Sequence, residues 1–147
     1  MFKHVLIPTD GSAVARKAVR AGVRLAQELG AKVTAYYALD VMQPYAFGDG
    51  YILDTATLLG MDRRAKEIGQ KYLDAVAKAA KAAGVPCQTL MTKPDTPAEG
   101  IMAAARKRKC DVIFMASHGR GEFASLVLGS VTQKVLARSK VPVLVYR

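Results

Sequence analysis

Short apolar segments alternate with longer amphipathic segments along this chain. The apolar segments end at glycine, proline or polar residues, as buried strands do, and they span residues 5–7, 32–39, 85–91, 112–116 and 141–146. The amphipathic segments repeat apolar side chains every three or four positions, as helices do, and they span residues 13–29, 54–83, 97–109 and 131–139. This order predicts an α/β fold, with one open five-stranded parallel sheet and helices on both of its faces.

Capping residues predict where two of the helices begin. Thr96 stands before a proline and three residues ahead of Glu99, which is the spacing of a capping box. Ser130 and Gln133 have the same spacing. The last helix is therefore predicted to begin at Val131.

Length and composition indicate a single domain over residues 1–147. The chain is 51% hydrophobic, which is sufficient for one core at this size. Its longest apolar runs are too short to span a bilayer, and the first residues continue into a strand pattern without the apolar region of a signal peptide. We therefore expect a cytoplasmic protein that is not inserted in a membrane. Cys87 and Cys110 have neither the spacing of a zinc motif nor that of a disulfide framework.

The formal net charge of +10 favours anionic partners, such as nucleotides, nucleic acids and acidic surfaces. The densest basic run, residues 106–109, follows an apolar helical stretch and suits the last turn of a helix, where cations interact favourably with the helix dipole. Aromatic residues, which stack on bases in nucleic-acid-binding proteins, are not interleaved with this run. The pattern therefore argues against a nucleic acid as the partner.

Glycines frame the loop that follows the fourth predicted strand. Gly119 lies near the start of the loop, and Gly129 and Ser130 close it just before the last predicted helix. Backbone amides at a helix start that is reached through glycine form phosphate cradles in α/β proteins. Asp10 follows the first strand and is expected at the same edge of the sheet, because the carboxyl ends of parallel strands lie together. The sequence thus predicts a nucleotide phosphate site at this edge.

Four segments together resemble the universal stress protein family, and the resemblance covers essentially the whole chain. They are Pro8-Thr9-Asp10-Gly11-Ser12, Ala116-Ser117-His118-Gly119, Gly129-Ser130 and Pro142-Val143-Leu144-Val145. Nucleotide-binding members of the family carry glycine, two residues, glycine, nine residues, and then glycine followed by serine or threonine. This chain matches from Gly119 onward but has Ala116 at the first glycine position. The resemblance implies a Rossmann-like fold of the adenine nucleotide alpha-hydrolase type, with the strands in the order 3-2-1-4-5.

The resemblance also implies that the chain binds an adenine nucleotide, with ATP as the expected ligand. Asp10 is the expected polar contact to the nucleoside and, through nucleotide-bound Mg²⁺, the expected metal contact. The implied nucleotide-binding residues are Pro8, Thr9, Asp10, Ala38, Met115, Ala116, Ser117, His118, Gly119, Arg120, Gly129, Ser130, Val131 and Thr132. The expected function is that of a regulatory stress-response module, with a regulatory protein as a further partner.

The final apolar segment suggests how the chain associates. An apolar strand at the edge of a sheet pairs with another strand unless it is covered, and members of the resembled family pair their final strands. We therefore expect a homodimer with Val141, Val143 and Val145 at its interface.

The same residues give little support to two rival enzyme functions, acyl transfer and phosphate transfer. Met115 to Gly119 resembles a degraded nucleophile elbow, but no histidine follows His118, and adjacent Ser117 and His118 are not expected to meet within one extended segment. The chain also lacks the P-loop signature of phosphate-transfer enzymes. Slow ATP hydrolysis and a dimeric interaction module without a nucleotide remain the alternatives. Residues 42–53 combine aromatic residues with glycines, either as a cover for a ligand or as a loop packed into the core.

Overall fold

The computed structural model describes residues 1–40, 53–120 and 127–147. Strands and helices alternate, as predicted, in the order β1 (His4–Pro8), α1 (Ala13–Leu29), β2 (Lys32–Ala38), α2 (Thr55–Ala82), β3 (Cys87–Thr92), α3 (Pro97–Arg108), β4 (Val112–Ala116), α4 (Ser130–Arg138) and β5 (Val143–Tyr146). The strands form one parallel sheet in the order β3-β2-β1-β4-β5, which confirms the predicted strand order.

Helices cover both faces of the sheet, which confirms the predicted layers. On one face, α1 and α2 pack against side chains of β1, β2 and β4, and Val23, Leu73 and Val76 lie in this half of the core. On the other face, α3 and α4 pack against the opposite sides of the same strands, around Leu6 and Ile113. The central strand β1 is therefore apolar on both faces over Val5, Leu6 and Ile7, because both of its faces are covered.

Local signals set most helix ends. Ser12 caps α1 by accepting a hydrogen bond from the backbone N–H of Ala15 at 3.1 Å, and Gly30 ends the helix with a φ of 62°. Thr96 caps α3 by accepting from the N–H of Glu99, as its spacing predicted. These ends therefore follow from short-range hydrogen bonding.

The predicted start of α4 is wrong by one residue. Gly129 occupies the N-cap without a side-chain capping bond, and the helix begins at Ser130 rather than at Val131. The side chain of Gln133 does not return to the cap residue and donates instead to the carbonyl of Leu128. The capping-box spacing placed the N-cap at Ser130, one residue too late. The carbonyl of Gly129 already accepts the first helical hydrogen bond, from the N–H of Gln133 at 2.9 Å.

Strands β3 and β5 begin two residues later than the predicted segments, since those segments start at residues 85 and 141. Proline explains both differences, because Pro86 and Pro142 have no N–H to donate to a ladder. Their carbonyls still join the sheet and accept from the N–H groups of Val33 at 2.8 Å and Ile113 at 2.9 Å.

The predicted aromatic segment at residues 42–53 lies outside the described residues except for Leu53. Residues 121–126 of the glycine-framed loop also lie outside them. Within the described residues, no helix combines the length and apolar character needed to cross a membrane.

Candidate functional site

A cavity of about 310 Å³ opens at the carboxyl ends of the central strands. The cavity lies at the point where the strand order reverses, with β2 on one side of β1 and β4 on the other. Open α/β sheets bind their ligands in the crevice at this point. Every predicted nucleotide-site residue lines it except Ser117. The cavity is lined by Pro8, Thr9, Asp10, Ala15, Tyr36, Tyr37, Ala38, Asp40, Pro97, Ile101, Met115, Ala116, His118, Gly119, Arg120, Gly129, Ser130, Val131 and Thr132.

Asp10 connects the turn after β1 to the loop after β4. One carboxylate oxygen accepts from the N–H of Ser12 at 2.9 Å, and the other accepts from the N–H of Arg120 at 2.9 Å. A Cβ atom added to Gly119 would lie 2.6 Å from the second oxygen, so only glycine permits this approach. The carboxylate therefore holds the start of the glycine loop, at Gly119 and Arg120, beside the cavity.

Ser117 lies behind the cavity wall. Its side chain is 1% exposed, its N–H donates to the carbonyl of Tyr146 at 2.9 Å, and its carbonyl accepts from the N–H of Gly129 at 2.8 Å. The hydroxyl is 2.8 Å from Nδ1 of His118. The expectation that these two side chains do not meet within one extended segment is wrong, because β4 ends at Ala116 and the alternation of side chains ends with it. A buried hydroxyl in this position orients the imidazole and is inaccessible to a substrate.

The N-terminus of α4 faces the cavity. The hydroxyl of Thr132 donates to the carbonyl of Ala116 at 3.0 Å, so the first turn of the helix is fixed to the end of β4. N–H groups in the first turn of a helix have no acceptor within the helix and carry its positive dipole end. Val131 and Thr132 both line the cavity, so N–H groups at this helix start are suited to binding an anion.

Arg120 lies against an aromatic side chain of α2. Its guanidinium carbon is 5.1 Å from the ring centroid of Tyr72, and its guanidinium also donates to the hydroxyl of that tyrosine. Tyr72 in turn packs edge-on to Tyr37, with 5.8 Å between the ring centroids. Burial raises the pKa of the Tyr37 hydroxyl, so this hydroxyl stays neutral at physiological pH.

The fit of the site to Mg²⁺ depends on Asp10. Among the described residues, no group of three or more His, Cys, Asp or Glu side chains could hold a metal ion by itself. Mg²⁺ is commonly bound by one or two carboxylates together with the phosphates of a nucleotide. Among the described residues each oxygen of Asp10 accepts one hydrogen bond, and a carboxylate oxygen has a second lone pair. The donor set therefore fits an ion that arrives with a nucleotide.

Several lining residues were missed by sequence reasoning. Pro97 and Ile101 come from the first turns of α3, and Asp40 follows β2. A signal for them existed, because a helix that follows a parallel strand begins at the same edge of the sheet as the strand's carboxyl end. Tyr72, which contacts Arg120 but is not among the lining residues, gave no such signal, since it lies in the middle of a long helix.

The residues of the predicted dimer interface lie at the β5 edge of the sheet. Val141 and Val143 are half-buried and pack toward α3 and α4, and Val145 is half-buried as well. Leu144 and Tyr146 point to the other face and are 38% and 37% exposed. This edge therefore carries apolar side chains on both of its faces.

Comparison with known proteins shows the family and the fold of the chain. A family model described as the universal stress protein family matches residues 1–147. The universal stress protein MJ0531 of Methanocaldococcus jannaschii is 35% identical over 147 residues, which cover 100% of this chain and 83% of the relative. The solved structure of MJ0577, a universal stress protein of the same organism, has a TM-score of 0.84 at 24% identity and covers 99% of this chain and 95% of its own.

Two further solved structures share the fold and contain a nucleotide. A universal stress protein in complex with cAMP has a TM-score of 0.68 at 23% identity, with 99% of this chain and 97% of the other covered. A universal stress protein of Archaeoglobus fulgidus in complex with dAMP has a TM-score of 0.64 at 16% identity, with 100% and 98% covered.

Proposed function

Because this chain belongs to the universal stress protein family, we propose that its cavity binds an adenine nucleotide, in the first place ATP, and that occupancy regulates loop shape or partner choice. One observation carries the proposal: Asp10, the glycine loop and the N-terminus of α4 line a single cavity at the carboxyl ends of β1 and β4. The complexes of related folds with cAMP and dAMP support an adenine nucleotide as the ligand class.

The proposed contacts divide the cavity into two parts. The base lies on the apolar side, toward Ala38 and Ile101, and the ribose lies near Asp10. The phosphates lie along the glycine loop and the first turn of α4, with His118 and Ser130 as side-chain partners. When bound, Mg²⁺ supplies charge neutralisation between the phosphates and the Asp10 carboxylate.

A second candidate is a dimeric interaction module that binds no nucleotide. Ala116 favours it, because this residue lines the cavity with a methyl group where nucleotide-binding relatives carry glycine. We propose the homodimer itself for both candidates, with Val141, Val143 and Val145 at the β5 edge.

Titration calorimetry with ATP and Mg²⁺ tests the proposed function, together with analysis of nucleotide released by boiling the purified protein. The variant Gly129→Val tests where the phosphates bind. The φ of Gly129 is −60°, which any residue adopts, so the backbone tolerates the change. The added side chain should obstruct the phosphates. We expect ATP affinity to fall by about tenfold or more, equivalent to about 1.4 kcal/mol.

The control for added bulk is Ala75→Val on the exposed face of α2, which should leave ATP affinity unchanged. Absence of both released nucleotide and ATP binding by the wild type would favour the interaction module. Unchanged affinity in the Gly129 variant would contradict the placement of the phosphates.

A further inference from the structure

Tyr72 of α2 forms a wall beside the turn that follows β1. A Cβ atom added to Gly11 would lie 2.2 Å from Cε1 of Tyr72, so the ring rests directly on the glycine backbone. Gly11 also has a φ of 77°, a conformation that favours glycine. The edge-on contact with Tyr37 supports the ring from the sheet side. Tyr72 is thereby fixed next to Asp10 although it is distant from it in sequence.

Arg120 is held through its main chain by Asp10 and through its side chain by Tyr72. The main-chain N–H of Arg120 donates to Asp10, and its guanidinium stacks on the Tyr72 ring and donates to the tyrosine hydroxyl. An arginine side chain loses much rotamer freedom when a ligand orders it. Because Tyr72 orders the guanidinium beforehand, this entropy is not lost again when an anion binds.

The charge balance of the cavity makes the position of Arg120 decisive. Among the described lining residues, Asp10 and Asp40 are acidic, and Arg120 is the one lysine or arginine. A nucleoside is uncharged, whereas each added phosphate brings negative charge toward these carboxylates. Discrimination between nucleotide and nucleoside therefore depends on where the guanidinium is held.

We propose that Tyr72 is a positioning residue that sets the preference of the site for phosphorylated ligands by fixing Arg120 at the rim. The inference rests on the proposed function and adds a residue that contacts Arg120 rather than the nucleotide. It also gives α2 a direct connection to the phosphate end of the cavity.

The ratio of ATP affinity to adenosine affinity tests this role, measured by calorimetry on Tyr72→Leu, Tyr72→Phe and the wild type. In Tyr72→Leu we expect the ratio to fall by about three- to fivefold, with adenosine affinity unchanged, because the stacking surface is lost. Tyr72→Phe keeps the ring and should retain most of the ratio.

Each outcome of this experiment is decisive. If the wild type binds both ligands and the ratio in Tyr72→Leu is unchanged or higher, the role of Tyr72 is refuted while the proposed function stands. If the wild type binds neither ATP nor adenosine, both proposals are refuted. An equal loss of both affinities would show a purely structural role and would also refute the inference. Urea unfolding of each variant verifies that the proteins compared are folded.

Discussion

His4 is buried at the amino-terminal edge of the sheet, opposite the cavity. Its side chain is 5% exposed, and Nε2 lies 2.8 Å from the hydroxyl of Thr34. Burial, and then the charge of Lys32, lower the pKa of His4 below its ordinary value, although Asp111 acts in the opposite direction. The folded protein therefore favours the neutral imidazole, whereas the unfolded chain binds a proton more readily.

This difference predicts a pH dependence of stability. Because the pKa of His4 is lower in the folded state, the contribution of the neutral ring is complete above about pH 6.5 and is lost as the pH falls toward the folded-state value. We expect the free energy of unfolding, measured with urea, to decrease between pH 7 and pH 5.

His4→Gln is the test variant, since an amide can still hydrogen-bond to Thr34 but does not titrate. Its unfolding free energy should be flatter over this interval than that of the wild type. Three carboxylates whose pKa the fold lowers do not interfere. Hydrogen bonds hold the pKa of Asp54 and of Asp62 below the usual range. For Asp111, burial acts in the opposite direction, but hydrogen bonds from the N–H groups of Lys3 and His4 still lower the pKa, so all three carboxylates titrate at lower pH. Parallel slopes for the two proteins would contradict the assignment.

Two helical glycines show how tertiary packing decides the effect of one substitution. A Cβ atom added to Gly22 of α1 would lie 2.9 Å from Ile7 and 2.9 Å from Phe114, whereas Gly60 of α2 has no described neighbour within 4 Å. Alanine has the higher helix propensity at both positions. Gly60→Ala should therefore stabilise the protein by about 0.5–1 kcal/mol, and Gly22→Ala should destabilise it by about 1–3 kcal/mol.

Urea unfolding of the two variants measures this difference, and each is the control for the other because the chemical change is identical. Shifts of the same sign would show that propensity, rather than the contact between α1 and the sheet, governs both positions.

The elements that sequence reasoning predicted best are those whose signals are local. Helix α1 and strand β4 have the predicted bounds, because a capping serine, a terminal glycine and an uninterrupted apolar run define them. The starts of β3 and β5 were displaced because Pro86 and Pro142 have no N–H to donate to a ladder, and that of α4 because the carbonyl of Gly129 already accepts the first helical hydrogen bond. Local pattern therefore predicts the body of an element better than its ends.

The candidate site was likewise predictable from the sequence only in part. Its place in the fold was predictable, because parallel strands bring Asp10 and the glycine loop to one edge of the sheet. The hydrogen bond between Ser117 and His118 was not, because it depends on a bend in the backbone after β4. Tyr72 was also not predictable, since its contacts with Gly11 and Arg120 depend on how α2 crosses the sheet.

The whole sheet has two unequal edges. Strand β3 at one edge packs against α2, whereas β5 at the other presents Leu144 and Tyr146 to solvent. The carbonyl of Pro142 accepts from the N–H of Ile113 in β4, and the carbonyl of Tyr146 accepts from the N–H of Ser117 just after β4. The N–H and C=O groups of Val143 and Val145 therefore point away from the sheet. These outward groups are available to a second strand, which supports the proposed dimer.

Val145→Pro tests that dimer at the level of the assembled molecule. Proline removes an outward N–H and leaves the ladder with β4 intact, so we expect the wild type to sediment as a dimer at micromolar concentration and the variant as a monomer. Val145→Thr retains the N–H and the branched side chain and should remain dimeric. Because each copy carries a net charge of +10, added salt should strengthen the wild-type dimer by screening repulsion between the subunits. A monomeric wild type, or a dimeric proline variant, would show that β5 does not pair in this way.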